Sequence, residues 1–156
     1  MASDGKPQTY DQLVSYEDMD PFKINATEAA ASTSHNLSDY HGYTELPASR
    51  GESSFVWDEV DNYRAGVIEG LGTKNLVADS VDAVDETTPS HYRAIAQDSI
   101  AMIANDLIVS GADPQLFWVH IAAGESSWFT DERRTTAFNL GCAAVCEDIG
   151  VTWAGG

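Results

Sequence analysis

The segment from Asp98 to Pro114 constrains this chain most, because it reads as an apolar helix that nevertheless carries polar residues. Asp98 and Asn105 are seven residues apart, which places them on one stripe of a helix with a period of 3.6 residues. Asp106 lies beside that stripe. Because burying an unpartnered carboxylate costs several kcal/mol, such a stripe indicates a site that meets a cation or a polar ligand.

A core helix whose acidic residues turn toward solvent at its ends is the alternative explanation. For Asp106 alone, this explanation is about as good as a functional site. The stripe that Asp98 and Asn105 share favours a functional site. Gly111 is expected to end the helix in the left-handed conformation, and Pro114 prevents its continuation.

The chain divides into a weakly patterned N-terminal extension of helix and loops, residues 1–50, and a folded domain, residues 51–156. In the extension, Asp20-Pro21 predicts the start of a short helix that lies over the core. In the domain, apolar runs predict strands at 54–57, 65–68, 116–121 (buried) and 151–154. Helices are expected at 91–110 and from a Thr130 cap to Gly150. Residues 75–78 are expected to form a short extended or helical segment. Residues 79–90 are expected to form a polar connection.

The formal net charge of −17 argues against binding to nucleic acid or anionic lipid, because no basic cluster offsets phosphate repulsion. No apolar run reaches the length of about 20 residues that a membrane span needs. The N-terminus lacks the pattern of a secretion signal, so a cytoplasmic location is expected. Cys142 and Cys146 are four residues apart in a predicted helix, which favours buried packing residues over a disulfide or a zinc site.

The stretch Glu69-Gly70-Leu71-Gly72-Thr73-Lys74 follows the second predicted strand. Two glycines let backbone N–H groups approach an anion, and a lysine neutralises phosphate charge. The carboxylate is suited to holding Mg²⁺ between them. A plain glycine turn with a surface lysine is the alternative, but Lys74 is one of only three lysines in the chain.

Both motifs, in this order and followed by Gly-Ala-Asp-Pro at 111–114 and a final Gly-Gly, resemble the ATP-binding half of aminoimidazole ribonucleotide (AIR) synthetase. This family is also called phosphoribosylformylglycinamidine cyclo-ligase. It carries Asp-Gly-Val-Gly-Thr-Lys, then Asp-x-x-Ala-Met-x-x-Asn-Asp-Leu with Gly-Ala-x-Pro, then Gly-Gly-Glu-Thr. The resemblance covers residues 60–156 and, more loosely, the region from Tyr10 to Asp20.

The resemblance implies an α+β fold, in which a mixed sheet backed by helices forms a half-barrel that dimerises with a second copy. It implies ATP and Mg²⁺ as cofactors and a small-molecule substrate, formylglycinamidine ribonucleotide, which ATP-dependent ring closure converts to aminoimidazole ribonucleotide. Lys74 and Asp98 would be catalytic. Gly70, Gly72, Thr73, Lys74 and Asn105 would contact the nucleotide, and Glu69 and Asp106 would bind the metal.

Two departures from the family pattern stand out. Glu69 replaces the usual Asp and is one methylene longer, which shifts a metal ligand by about 1.5 Å. The sequence stops at Gly156, where the family continues into a second domain that completes the substrate site. A fragment without activity of its own is therefore expected. The alternatives are a non-catalytic dimerising or nucleotide-binding module, or a related ATP-using enzyme of the same superfamily with another substrate.

The excess of acidic residues predicts a surface adapted to high salt. Molar salt shortens the screening length to about 3 Å, which weakens the repulsion between surface carboxylates. We expect the melting temperature, followed by circular dichroism, to rise between low and molar sodium chloride. A melting temperature that does not rise would contradict this adaptation.

Overall fold

The computed structural model describes residues 15–85 and 87–156, and it confirms a mixed α and β composition. Five helices and five strands make up the described part; the helices are α1 (Tyr16–Ala31), α2 (His35–His41), α3 (Lys74–Asp82), α4 (Tyr92–Val109) and α5 (Glu132–Ile149), and the strands are β1 (Thr44–Glu45), β2 (Phe55–Asp58), β3 (Tyr63–Gly66), β4 (Leu116–Trp118) and β5 (Thr152–Gly155). Two short 3₁₀ turns cover Pro47–Ser49 and Ser126–Thr130.

The strands form two small sheets. β1, β2 and β3 pair antiparallel in that order, and β4 pairs with β5 in parallel. The parallel pair is joined by a crossover through α5, as the geometry of parallel strands requires.

The core lies between α4 and α5, which make the most extensive contact between elements. Gly141 allows this close approach, because a Cβ atom there would lie 2.8 Å from both the Ala96 Cβ and the Arg93 carbonyl oxygen. The buried cluster contains ten side chains: Ala78, Tyr92, Ile95, Ala96, Ile100, Phe117, Phe138, Cys142, Cys146 and Val151.

Both cysteines are free and buried, as the sequence predicts. Burial raises the pKa of the Cys142 thiol to about 12, so this group remains a protonated packing residue at neutral pH. None of the helices in the described ranges is long and apolar enough to cross a membrane.

The predicted helix at 91–110 is confirmed within one residue at each end. Gly111 has φ of 82°, and its N–H donates to the Ile108 carbonyl while the Ala112 N–H donates to that of Leu107. A left-handed glycine therefore ends α4, as expected.

Several predicted boundaries are wrong. β3 ends at Gly66 rather than at residue 68, and α3 continues through Asp82, into the expected polar connection. β4 stops at Trp118, and only its central residue Phe117 is buried, because Leu116 and Trp118 lie on the opposite face of the strand and are 50% and 60% exposed. The cap of α5 is Asp131 rather than Thr130: its side chain accepts the Arg134 N–H at 3.0 Å.

The N-terminal helix also differs from expectation. α1 begins at Tyr16, before the predicted start at Asp20-Pro21, and Pro21 lies inside it. A proline removes only its own N–H bond and crowds one carbonyl, so one turn can precede it. Phe22 and Ile24 are 76% and 59% exposed, and the other described side chains of α1 are exposed as well. The expectation that this helix lies over the core is therefore wrong.

Asp82 joins the end of α3 to the start of α4. Its carboxylate accepts hydrogen bonds from the Ser90 hydroxyl, from the His91 backbone N–H at 3.0 Å and from His91 Nδ1 at 2.6 Å. Arg133 of α5 lies 3.8 Å away and also donates to the Asp85 and Thr88 carbonyls. Burial alone would raise the pKa of Asp82, but these hydrogen bonds and the guanidinium outweigh it and lower the pKa to about 2.

This network predicts acid sensitivity. A carboxylate whose pKa is lower in the folded state contributes stability above its unfolded value of 3.8, and this contribution is lost as the pH falls toward 2. From the shift we expect Asp82→Asn to lower the free energy of unfolding by about 2 kcal/mol at pH 6. The difference from wild type should shrink between pH 4 and pH 2, measured by urea unfolding.

Asp39→Asn is a matched control, because Asp39 is an exposed residue of α2. Its variant should show no comparable loss at pH 6. A difference between wild type and Asp82→Asn that stayed constant down to pH 2 would contradict the assignment.

Candidate functional site

The glycine-containing motif forms a coil that leads directly into α3. Gly72 adopts φ of 70°, a left-handed conformation that favours glycine, and Lys74 is the first residue of the helix. Thr73, at the cap position, makes no side-chain hydrogen bond to the helix. Among the described residues, no side chain accepts a hydrogen bond from the first N–H groups of α3.

The helices α4 and α5 differ from α3 in this respect. Asp82 accepts the His91 N–H at the start of α4, and Asp131 accepts the Arg134 N–H at the start of α5. A helix N-terminus carries partial positive charge and orphan donors, which suit an anion. Among these three helices, α3 is the one whose N-terminus has no carboxylate.

An ion pair brings the two sequence motifs together. Lys74 Nζ lies 3.0 Å from Asp98 Oδ2, with 61% of the lysine side chain and 46% of the aspartate side chain exposed. Exposed ion pairs contribute only about 0–1 kcal/mol to stability. Both groups are therefore accessible to a ligand and little needed for folding.

A groove of about 280 Å³ runs between α3 and α4 from this ion pair. Its floor is apolar and includes Val77 and Val81 of α3 and Ala94 and Ile95 of α4. His91 lines the other end of the groove. The groove therefore combines an apolar floor with polar groups at its ends, a common composition for a small-molecule site.

The polar stripe on α4 is present but is more open than the sequence predicts. Asp98 is half-buried and Asn105 is exposed, because the helix is covered by α3 and α5 on part of its circumference only. Asp106 is half-buried. Neither Asn105 nor Asp106 makes a side-chain hydrogen bond or an ion pair with another residue in the described ranges.

The proposed metal ligands are not assembled into a metal site by the protein alone. Glu69 is exposed and lies three residues beyond the end of β3. It was expected directly after a strand but lies in the coil. Gly70 and Thr73 are exposed beside it. Within residues 15–85 and 87–156, no group of three or more His, Cys, Asp or Glu side chains is placed to hold a metal ion.

Mg²⁺ is compatible with such an arrangement, because it keeps several waters and is usually held by one or two carboxylates together with substrate phosphates. The exposed carboxylate of Glu69, near the uncapped start of α3, has the oxygen chemistry that this mode requires. The residues present therefore fit a metal that arrives with a phosphate ligand rather than a resident metal centre.

Sequence reasoning missed His91 and Asp82. The sequence pattern places His91 only at the start of a predicted helix, and it places Asp82 within the predicted polar connection 79–90. A signal was available, because His91 precedes Asp98 by the same seven residues that separate Asp98 from Asn105. For Asp82, no local pattern indicates a contact with residues eight and nine positions away.

Another groove, of about 320 Å³, lies between α1 and the residues around Arg50 and Phe55. The Arg50 guanidinium donates two hydrogen bonds of 2.6 and 2.8 Å to Glu45 and lies over the Phe55 ring. That cation is already neutralised within the fold, and neither sequence motif reaches this groove. It is therefore the weaker candidate.

Comparison with known proteins identifies the domain that contains both motifs. Residues 63–156 match the family described as AIR synthase related protein, N-terminal domain. A phosphoribosylformylglycinamidine cyclo-ligase of Oceanobacillus iheyensis is 35% identical over 88 residues, which are 56% of this chain and 22% of that protein. The cyclo-ligase of Synechococcus elongatus is 33% identical over the same shares.

A trifunctional purine biosynthetic protein, adenosine-3, of Bos taurus is 32% identical over 88 residues, 56% of this chain and 8% of that protein. No solved structure is significantly similar to this chain. The chain thus covers about a fifth of the length of the bacterial relatives that it matches. Because the family match extends over more than half of its residues, this chain belongs to the family of AIR synthase related proteins and contains their N-terminal domain.

Proposed function

We propose that this chain supplies the nucleotide-binding part of an ATP-dependent, cyclo-ligase-like enzyme of purine biosynthesis. The observation that carries the proposal is the Lys74–Asp98 ion pair. It joins the glycine-containing motif to the polar stripe of α4 at the mouth of a groove. The relatives support the reaction class, because they are cyclo-ligases or a multifunctional purine biosynthetic protein.

The phosphates of ATP would bind at the start of α3. Gly70 and Gly72 leave the backbone open to a close approach, while Thr73 and Lys74 offer a hydroxyl and an ammonium group. In the free protein the ammonium group is paired with Asp98, so a phosphate would compete with that carboxylate. Asp98 and Asn105 would then face the nucleotide or the substrate.

Mg²⁺ would be held by Glu69 and Asp106 together with phosphate oxygens. The ion would neutralise phosphate charge, which is needed in a chain of net charge −17 that would otherwise repel a triphosphate. Lys74 would orient the phosphates, and the uncapped start of α3 would stabilise their negative charge.

The proposed substrate is formylglycinamidine ribonucleotide. Transfer of the terminal phosphoryl group of ATP to its amide oxygen would allow ring closure to aminoimidazole ribonucleotide, with release of ADP and phosphate. The chain's own contribution would be to hold the triphosphate with Lys74 and to keep Asp98 beside it. The rest of the substrate site would lie outside this chain, which alone would then be inactive.

We also propose that residues 51–156 form the catalytic family's half-barrel domain and dimerise in the cytoplasm, with residues 1–50 as an extension. A pair of parallel strands is normally covered on both faces, whereas Leu116 and Trp118 of β4 are 50% and 60% exposed. A second copy that covers them would extend the sheet toward a barrel.

A non-catalytic nucleotide-binding or dimerising module is the second candidate. The observation in its favour is Glu69, which departs from the family's Asp. A related ATP-using enzyme with a different substrate would share the same phosphate site, so nucleotide binding is the property to test first.

We expect Mg-ATP to raise the melting temperature of the chain and Lys74→Ala to abolish that rise. A ligand at a hundredfold excess over its dissociation constant adds about 2.7 kcal/mol of stability. The unliganded variant should melt close to wild type, because the ion pair is exposed. Thermal-shift titration with and without Mg²⁺ measures both effects.

Lys23→Ala is the matched control, since it removes a lysine of α1 that is 53% exposed and lies outside both motifs. It should respond to Mg-ATP as the wild type does. Unchanged Mg-ATP binding by Lys74→Ala would contradict the phosphate-site assignment. Absence of Mg-ATP binding by well-folded wild type would favour a non-catalytic dimerising module.

Glu69 is tested through the metal dependence of binding. We expect Glu69→Ala to reduce the gain in ATP affinity that Mg²⁺ provides, because it removes a carboxylate ligand, and Glu69→Asp to keep that gain. Isothermal titration calorimetry at several Mg²⁺ concentrations measures it. Glu28→Ala on the exposed helix α1 is the control, and a Glu69→Ala variant with an undiminished Mg²⁺ effect would remove Glu69 from the metal site.

A further inference from the structure

His91 extends the polar stripe of α4 by one more repeat. His91, Asp98 and Asn105 follow each other at intervals of seven residues, so they lie on one face of the helix about 10 Å apart along its axis. Lys74 binds the middle member of this series. His91 is therefore at the opposite end of the α3–α4 groove from the ion pair.

Asp82 fixes which ring nitrogen of His91 remains available. Its carboxylate lies 2.6 Å from His91 Nδ1 and is an acceptor only, because the pKa of Asp82 is lowered to about 2. Nδ1 must therefore carry the proton and donate it. The other nitrogen, Nε2, has no hydrogen-bond partner among the described residues, and 47% of the side chain is exposed.

The groove between the two ends suits an uncharged, flat group. Its volume is about 280 Å³ and its floor is built of Val77, Val81, Ala94 and Ile95, which offer no hydrogen-bonding side chains. The cationic end is Lys74, which suits phosphate. The other end is His91, whose Nε2 has no partner among the described residues and is available for a hydrogen bond with an amino or hydroxyl group of a ligand.

We propose that the α3–α4 groove holds the nucleoside part of the nucleotide whose phosphates bind at Lys74, with His91 Nε2 accepting a hydrogen bond from the base or the ribose. This inference rests on the proposed function, because it takes Lys74 as the phosphate end. It adds His91 as a specificity-determining residue and makes Asp82 its positioning residue.

Two substitutions of His91 separate binding from structure. The side-chain amide of His91→Asn can occupy the place of Nδ1 and donate to Asp82, but it removes Nε2. The longer amide of His91→Gln can reach the place of Nε2. We measure dissociation constants for Mg-ATP and for Mg-tripolyphosphate, which has the phosphate chain without the nucleoside, together with the melting temperature of each variant.

We expect the wild type to bind Mg-ATP more tightly than Mg-tripolyphosphate. His91→Asn should weaken Mg-ATP about threefold to tenfold, the effect of one hydrogen bond, and leave Mg-tripolyphosphate unchanged. His91→Gln should keep most of the affinity for Mg-ATP. Unchanged Mg-ATP binding by His91→Asn, or equal weakening of the two ligands, would overturn the role of His91.

Filling the groove gives an independent test. Ala94 is an exposed residue of α4 that lines it, so Ala94→Trp should weaken Mg-ATP without weakening Mg-tripolyphosphate. Ala143→Trp is the control on the exposed face of α5 and should change neither. Full Mg-ATP affinity in Ala94→Trp would place the nucleoside elsewhere.

Different results would overturn the phosphate site at Lys74 and the nucleoside groove. If the wild type binds Mg-tripolyphosphate and Mg-ATP equally tightly, the phosphate site at Lys74 stands and the nucleoside groove is overturned. If it binds neither, the proposed function and this inference are both overturned.

Discussion

The Asp82 carboxylate joins the end of α3 to the start of α4, and the position of Lys74 depends on it. It accepts from Ser90 and twice from His91, while Arg133 ties the intervening loop to α5. A nine-residue helix is too short to be stable alone. This junction, together with the Tyr92 hydroxyl and Arg134, which both bind Asp79, holds α3 against α4, where its first residue meets Asp98. The most buried carboxylate near the groove is thus a structural group, and the groups left exposed are those that a ligand can reach.

The sequence predicts the long helix and its end well, because their determinants are local. A helical apolar period and a glycine that must adopt positive φ define α4 up to Val109, whatever packs against it. The family resemblance predicts that Lys74 and Asp98 belong to one site, but it does not predict the ion pair between them. Its geometry depends on how α3 packs on α4, which no local pattern contains.

The wrong predictions share a physical cause. β4 was expected to be a longer buried strand because Leu116, Phe117 and Trp118 are all bulky, yet burial of a strand depends on what covers each face, and here one face is open. Thr130 and Asp131 are both good caps, and only the approach of the chain into α5 decides between them. Asp82 was overlooked since its partners lie across a loop. In each case the deciding contact lies outside the local segment of sequence.

Because the chain is strongly acidic, a lysine at the α3–α4 groove needs an explanation. With 25 acidic residues against 8 lysines and arginines, most cations are paired within the fold, as Arg50 is with Glu45 and Arg64 with Glu59. Lys74 is paired as well, but with a partner on another helix and in a largely exposed position that contributes little to stability. An ion pair of this kind can be exchanged for a phosphate at small cost to the fold, whereas the partly buried contacts of Arg133 with the Asp82 carboxylate and the Asp85 carbonyl cannot. Lys74 is thus a cation whose pairing contributes little to the fold, whereas Arg133 joins the loop after α3 to α5.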